Sequence, residues 1–307
     1  MLIPQVKPRH RIRSHKQSKL AQETPFKLIS MVDITRVILI HADIMYYGFM
    51  PAKRQKNVLA IPMYNCRDQI SLVLNDLATE KPLIDEIWIF DNQSSDGSVE
   101  VAKNFLFTNN FPYNVKIYEN HSNIVFGGSH KAIFKKLMES NFKAVVVLHG
   151  DFQARARDVE KLIEKGEIGN TTILGSRFMR NSSREGYSKF RLLWNRVFNI
   201  LISIKYRTRV YDLGSGLNLF QAEIIALTDF QTLPGDLTFN VELLKRLLAN
   251  KLSIHWVPIT WVSDSENSNV RVISQTLKTF KLVLGNYYSE PSIALEPELK
   301  INYKCSS

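Results

Sequence analysis

Cysteine is nearly missing: Cys66 and Cys305 are the only two in 307 residues, and they lie far apart in the chain. That excludes a disulfide-stapled scaffold and any zinc site built on paired CxxC ligands, and it fits a reducing compartment. Long apolar runs are missing as well. No uninterrupted stretch approaches the roughly 18 to 20 residues that cross a bilayer, and the N-terminus has no apolar h-region of a signal peptide. The chain is expected to be soluble or to sit on a membrane surface. Acids are outnumbered, 29 against 40 Lys and Arg, for a net charge of +11. What the chain does have is 45% hydrophobic residues, enough for one large or two small domains with a sizeable core.

The shortage of acids is local. Residues 1–20 hold six Lys/Arg and no acid, and residues 177–209 hold nine Lys/Arg against Glu185 alone. The remainder is slightly acidic. Two basic patches on such a globule point to anionic partners: phosphate groups, anionic lipid or nucleic acid. Nucleic acid fits least, because only Trp194 and Tyr206 offer stacking rings among the basic clusters.

Three segments are expected. Residues 1–56 read as a basic N-terminal arm followed by a short packed helix at 34–50, with a boundary after Pro51. Residues 57–262 alternate short apolar runs with helical stretches, the pattern of stacked β-α units and a mostly parallel sheet. Strands are expected at 58–64, 84–91, 115–119, 144–149 and 172–176, with helices at 69–79, 98–107, 129–140 and 158–165, then helices at 189–206 and 237–250 and a late strand at 254–261. Residues 263–307 read as a C-terminal helical extension. Sheets of this kind bind ligands beyond the carboxyl ends of their strands.

The strand ends carry the chemistry. The first ends in Ile61-Pro62-Met63-Tyr64-Asn65 and the second in Asp91-Asn92-Gln93-Ser94-Ser95-Asp96-Gly97. Tyr64 offers a ring for stacking a base, and Asp91 an acceptor for a nucleobase or ribose donor, while Asp96 is placed equally well to cap the next helix. The fourth strand ends in His149-Gly150-Asp151-Phe152-Gln153, where alternation projects His149 and Asp151 together, as a pair able to hold one divalent cation. Gly127 and Gly128 open a helix, so their backbone N–H groups are candidates for a phosphate, or the pair serves packing.

Taken in order, P-x-Y-N, D-N-x-S-x-D-G and H-x-D-x-Q resemble the segments of glycosyltransferase family 2, with its GT-A (Rossmann-like) α/β fold: a mostly parallel central sheet flanked by helices. Leu174-Gly175-Ser176-Arg177 and Asp212-Leu213-Gly214-Ser215-Gly216-Leu217-Asn218 resemble segments of its dolichol-phosphate mannosyltransferase-like, or polyprenyl-phosphate glycosyltransferase-like, branch. The likeness runs from about Val58 to Pro258. It implies that Pro62, Tyr64, Asn65 and Asp91 line a nucleoside pocket, that Gly127 and Gly128 close on the nucleotide, and that Asp151 with His149 holds a divalent cation (Mn²⁺ or Mg²⁺) beside Gln153. It implies an inverting transfer of a sugar from a UDP- or GDP-sugar to a polyprenyl or dolichyl phosphate at the cytoplasmic membrane surface. Arg177 is then the basic partner of the leaving diphosphate, Arg191, Arg196 and Ser215 hold the acceptor phosphate, and Asp236 or Glu242 is the base if the acceptor is a hydroxyl.

Three positions depart from the family pattern: Cys66 replaces a usual Glu, His149 replaces the first carboxylate of D-x-D, and Gln93 replaces a Gly. Imidazole is a softer ligand than carboxylate, so Mn²⁺ is expected to serve at least as well as Mg²⁺. Asp264 and Glu266 fall where relatives carry basic residues, which favours less strongly a lipid phosphate over a glycan hydroxyl. A non-catalytic nucleotide-sugar- or membrane-binding module is the remaining alternative, and any membrane contact is expected to be peripheral or through a membrane-protein partner. The helix at 189–206 is apolar over most of its circumference with basic ends, suited either to the core or to a membrane interface.

Overall fold

The structure, a computed structural model, describes residues 56–263, 285 and 298–303, all within the unit that spans 55–307. The expected N-terminal arm, the helix at 34–50, the boundary after Pro51, Asp264, Glu266 and most of the C-terminal extension lie outside the described residues.

The chain alternates β1 (Asn57–Met63), α1 (Arg67–Glu80), β2 (Glu86–Asp91), α2 (Ser98–Thr108), β3 (Val115–Glu119), α3 (Val125–Met138), β4 (Ala144–Leu148), α4 (Val159–Gly166) and β5 (Thr172–Ser176). It continues through β6 (Ser183–Glu185), α5 (Lys189–Tyr206), β7 (Leu217–Gln221), α6 (Ala222–Ala226), α7 (Phe239–Ala249), β8 (Ile254–Pro258), β9 (Thr260–Val262) and β10 (Glu298–Tyr303). Eight strands form one sheet in the order β10-β3-β2-β1-β4-β7-β5-β8. β1 pairs in parallel with β2 and β4, β2 with β3, and β5 with β8. β7 runs antiparallel between β4 and β5, and β10 runs antiparallel along β3.

Near-continuous apolar strands suit a sheet covered on both faces. Along β1, Leu59, Ile61 and Met63 enter the layer that also holds Ile70, Leu74 and Leu77 of α1 and Leu162 of α4. Val58 and Ala60, on the opposite face, join Ile133, Phe134 and Leu137 of α3, Phe198 and Ile202 of α5 and Leu243 and Leu247 of α7. The period-2 alternation of strand side chains thus builds two cores, each closed by amphipathic helices.

The short strand β6 and helix α6 were not expected, and three further features differ from the sequence expectation. The late strand at 254–261 is two strands, because the chain turns after Pro258 and β9 leaves the main sheet to pair with β6. β7 begins at the last two residues of the D-L-G-S-G-L-N segment and is too short to show a period. Residues 298–303, expected in a helical extension, are the edge strand β10, so a domain boundary at 262 cuts off one strand of the sheet.

Candidate active site

The carboxyl ends of β1, β2 and β4 open on one side of the sheet, where three loops meet. Asp91, the last residue of β2, is 2% exposed. Its Oδ2 accepts from the Ser94 N–H at 3.0 Å, while Oδ1 is buried with no partner among the described residues. Burial pushes the Asp91 carboxyl above its usual value, against the pull of the Ser94 hydrogen bonds. A buried oxygen with a free lone pair calls for a donor from a ligand or water. Tyr64 stands half-exposed just past β1, with its ring available as a platform.

Other polar groups here are spent on one another. Asn65, at φ 50°, donates its N–H to Ser94 Oγ at 2.9 Å and accepts from the Ser95 N–H at 3.0 Å. Asp96 receives the N–H groups of Arg67 and Ser98, each at 3.0 Å, so it joins the starts of α1 and α2 as the capping alternative predicts. Pro62 is partly buried, and its carbonyl accepts from the Gly150 N–H at 3.1 Å, locking β1 to the turn after β4.

Asn92 organises the opposite wall and has no role in the sequence expectation. Its Oδ1 accepts from Ile124 N–H and its Nδ2 donates to Asn123 Oδ1, both at 2.9 Å, and Gln93 Oε1 takes the Asn123 N–H at 3.0 Å. The clasp holds Val125 at φ 60°, a left-handed conformation that a β-branched residue adopts only under constraint. An Asn directly after a strand-end Asp was the available signal.

The phosphate role expected for the glycine pair is overturned. The N–H groups of Gly127 and Gly128 both donate to the Gly235 carbonyl, at 2.6 and 3.1 Å. A Cβ at Gly127 would come within 2.4 Å of the Pro234 carbonyl oxygen. The pair is glycine because the 234–236 loop packs directly on the first turn of α3, which uses the donors that a helix start otherwise leaves open.

The pairing of His149 with Asp151 fails as well. β4 ends at Leu148 and the chain turns at Gly150–Asp151, so strand alternation does not reach Asp151. The His149 ring lies among Phe126 at 5.3 Å, His130 at 5.4 Å and Gly216, and its Nε2 is buried without a partner among the described residues. Burial lowers its pKa to about 4, and that of His130 to about 3, so both stay neutral at pH 7. Asp151 faces elsewhere: its charge, with those of Asp96 and Asp91, is felt by the Cys66 thiol. Burial, then these carboxylates, push that thiol up to about 11, leaving it uncharged where the family usually places a Glu. Asp151 Oδ1 accepts from the Gln153 N–H at 3.1 Å, and Gln153 is in turn tied to β9 through its carbonyl.

No group of three His, Cys, Asp or Glu among the described residues is arranged to hold a metal. One carboxylate with the rest of the shell left to phosphate oxygens and water is nevertheless how a hard cation on a nucleotide is commonly held, and Asp151 fits it. His149 does not, which removes the reason for expecting Mn²⁺ to match or exceed Mg²⁺.

The basic segment divides in two. Arg177 is buried: its Nε and Nη2 reach Asp212 at 2.8 and 2.7 Å, Nη2 also reaches the Gly214 carbonyl at 2.8 Å, and Phe178, Tyr187 and Trp261 surround it. Burial alone would lower its pKa, but the Asp212 carboxylate outweighs that and raises it. The charge expected to meet a leaving diphosphate is thus matched internally. Ser215, expected at the acceptor phosphate, is 2% exposed and donates to the Gly175 carbonyl at 2.8 Å. Glu242, a candidate base, is 0% exposed and paired to the equally buried Lys245 at 2.7 Å, so it is shut off from any acceptor. Asp236 is exposed, and its Oδ1 accepts from Thr238 N–H at 2.9 Å and from Thr238 Oγ1, a turn that starts α7.

Arg184 donates to the Arg177 carbonyl, while Arg196, Arg207 and Arg209 are exposed. Arg191 stacks on the Tyr187 ring at 4.9 Å, just behind the Ser188 cap of α5. Arg196 lines a groove of about 750 Å³ together with Arg207, Arg209, Phe178, Ile200 and Ile204.

The fold is a doubly covered α/β sheet with an antiparallel strand in its parallel run, and its strand ends, where such sheets take ligands, hold one unpartnered carboxylate oxygen. Residues 58–227 match the family model Glycosyl transferase family 2, and the chain belongs to that family. It is a family 2 glycosyltransferase. Solved structures agree in fold. Glucosyl-3-phosphoglycerate synthase from Mycobacterium tuberculosis with uridine diphosphate superposes with a TM-score of 0.57 at 13% identity, over 75% of this chain and 79% of that one. The same enzyme with Mn²⁺, UDP-glucose and phosphoglyceric acid gives 0.54 at 12%, over 75% and 79%. A mannosyltransferase from Pyrobaculum calidifontis with GDP-mannose and Mn²⁺ gives 0.52 at 12%, over 80% and 69%.

Proposed function

We propose that the protein transfers a sugar, with inversion, from a nucleoside-diphosphate sugar to a polyprenyl phosphate presented at a cytoplasmic membrane surface. The donor half of this reading is supported by Asp91 Oδ1, an unpartnered acceptor suited to a nucleobase N–H, and by the half-exposed Tyr64 ring. A divalent cation bound at Asp151 would offset charge on the diphosphate as it leaves. This chain's own part is to position that carboxylate through the Gln153 N–H and to shape the wall through Asn92 and Val125.

The observation that carries the acceptor is the α5 groove, where apolar Ile200 and Ile204 lie beside Arg196, Arg207 and Arg209. That combination suits a chain with an isoprenoid body and a phosphate head. A phosphate monoester has a second pKa near ~6 and arrives ionised. Its oxygen forms the bond to the anomeric carbon while the bond to the diphosphate breaks and the electron pair leaves with the nucleotide. No protein base is needed, consistent with the burial of Glu242. Arg191, at the end of α5 nearest Arg177 and Tyr187, is assigned to guide the phosphate, and Arg196 to hold the groove end.

The test supplies purified protein with Mg²⁺ or Mn²⁺, a panel of labelled UDP- and GDP-sugars, and a short polyprenyl phosphate, and follows label into the organic phase. Label from one donor, lost in Asp151→Ala, is the expected result. Donor turnover only with a glycan hydroxyl acceptor overturns the lipid assignment.

A further inference from the structure

The side of α5 that faces away from the core has more apolar surface than a solvated helix needs. Phe198, Asn199 and Ile202 are its buried residues. Phe190, Leu193, Ile200 and Ile204, spaced three, seven and four apart, are between 46% and 69% exposed. At 3.6 residues per turn these positions form one stripe along the helix. Lys189, Arg196, Arg207 and Arg209 are exposed along it and just beyond its end, and no acid occurs between Gly186 and Tyr211. At 18 residues the helix is long, yet no described helix is long and apolar enough to cross a membrane.

We infer that the exposed face of α5 is a membrane-docking surface, which inserts Phe190, Leu193, Ile200 and Ile204 into the interface of a bilayer rich in anionic lipid. Charge complementarity selects this occupant: a stripe of large apolar side chains edged by cations alone matches an acyl boundary edged by lipid phosphates. A second copy of the same face would set like charges together and be repelled. Docking also turns the groove lined by Ile200 and Ile204 toward the lipid, so an isoprenoid could enter without crossing water. The choice of a bilayer over a protein partner rests in part on the function proposed above.

The test is sedimentation of the full chain with vesicles of phosphatidylcholine alone and of phosphatidylcholine with 30% phosphatidylglycerol (about 30%, a composition chosen so that each basic residue near the surface is worth about fivefold in binding). Binding at least about tenfold tighter to the anionic vesicles, weakening with salt, is expected. Leu193→Glu, at an exposed position outside the groove, is expected to weaken that binding at least about tenfold. Its melting temperature and its transfer to a short, water-soluble polyprenyl phosphate without vesicles are expected to stay at wild-type values. Lys189→Glu serves as a second variant and should act through the charge alone. Equal binding to both vesicle types, no binding, or binding unchanged in both variants overturns the docking surface. Wild-type transfer to the short acceptor without vesicle binding removes the docking and leaves the function; vesicle binding without transfer from any donor supports the docking and removes the function.

Discussion

The two halves of the candidate site spend their polar groups differently. Around the ends of β1, β2 and β4, Asn65, Asn92, Ser94, Asp96 and Ser98 bond to one another and to loop backbone, and Asp91 Oδ1 is left over. In the basic segment the residues deepest in the fold, Arg177 and Ser215, are matched internally, while Arg191, Arg196, Arg207 and Arg209 face outward. A polar residue in a recognisable segment is therefore a binding candidate only when folding leaves part of its hydrogen-bonding or charge capacity unused. Asp91 and Asp212 both end up buried, yet one keeps a free oxygen and the other has none to spare.

That contrast can be broken most forcefully at Asp212. Asp212→Ala leaves the Arg177 guanidinium buried and unpaired, and is expected to cost about 3–5 kcal/mol of stability, read by chemical denaturation. A loss under 1 kcal/mol (roughly the scale of exposed pairs) would place Arg177 among the outward-facing, functional arginines. Asp151→Ala belongs to the other half. It is expected to lower the transfer rate by about 10²–10³, read in the transfer assay at saturating donor.

Asp91→Asn sharpens the comparison by separating stability from binding. The folded-state pKa of Asp91 is raised, so its contribution to stability is greatest at low pH and is lost as pH rises through that value. Removing the charge at neutral pH is expected to raise stability while weakening donor binding about tenfold, because the amide keeps one acceptor oxygen where the carboxylate has two. A calorimetric melt and a donor titration check the two effects. His130 gives a pH-dependent effect in the opposite sense. Its pKa falls from 6.5 to about 3 through burial and the nearby His149, so the stability it contributes is present above pH 6.5 and lost as pH falls toward 3. His130→Phe is expected to flatten the fall in melting temperature between pH 6.5 and 4, by up to ~1.4 kcal/mol per pH unit.

The regular part of the fold was legible in the sequence because buried parallel strands are apolar throughout and their helices are amphipathic. β3, β5 and α5 begin and end at the expected residues. β7, β10 and the break between β8 and β9 were not legible, since they are set by partners distant in sequence. In the candidate site, Tyr64, Asp91 and Asp151 all stand at or just past the ends of β1, β2 and β4, where the sequence puts them. What failed were inferences from local pattern alone: alternation was carried past the end of β4 at Leu148 as far as Asp151, and Gly127 and Gly128 were given to a phosphate when a loop more than 100 positions away (roughly a third of the chain) takes their N–H groups. Contacts of that range decide which donors stay free.

The most direct test of the central claim is a crossed kinetic measurement on two variants, Asp91→Asn and Arg196→Ala, with donor and acceptor varied in turn. Two separate sites predict that Asp91→Asn raises the KM for the donor about tenfold and leaves that for the polyprenyl phosphate unchanged, while Arg196→Ala does the reverse by a few-fold. If either variant shifted both constants together, or Arg196→Ala shifted neither, the division of the molecule into a donor crevice and an α5 acceptor groove would be contradicted.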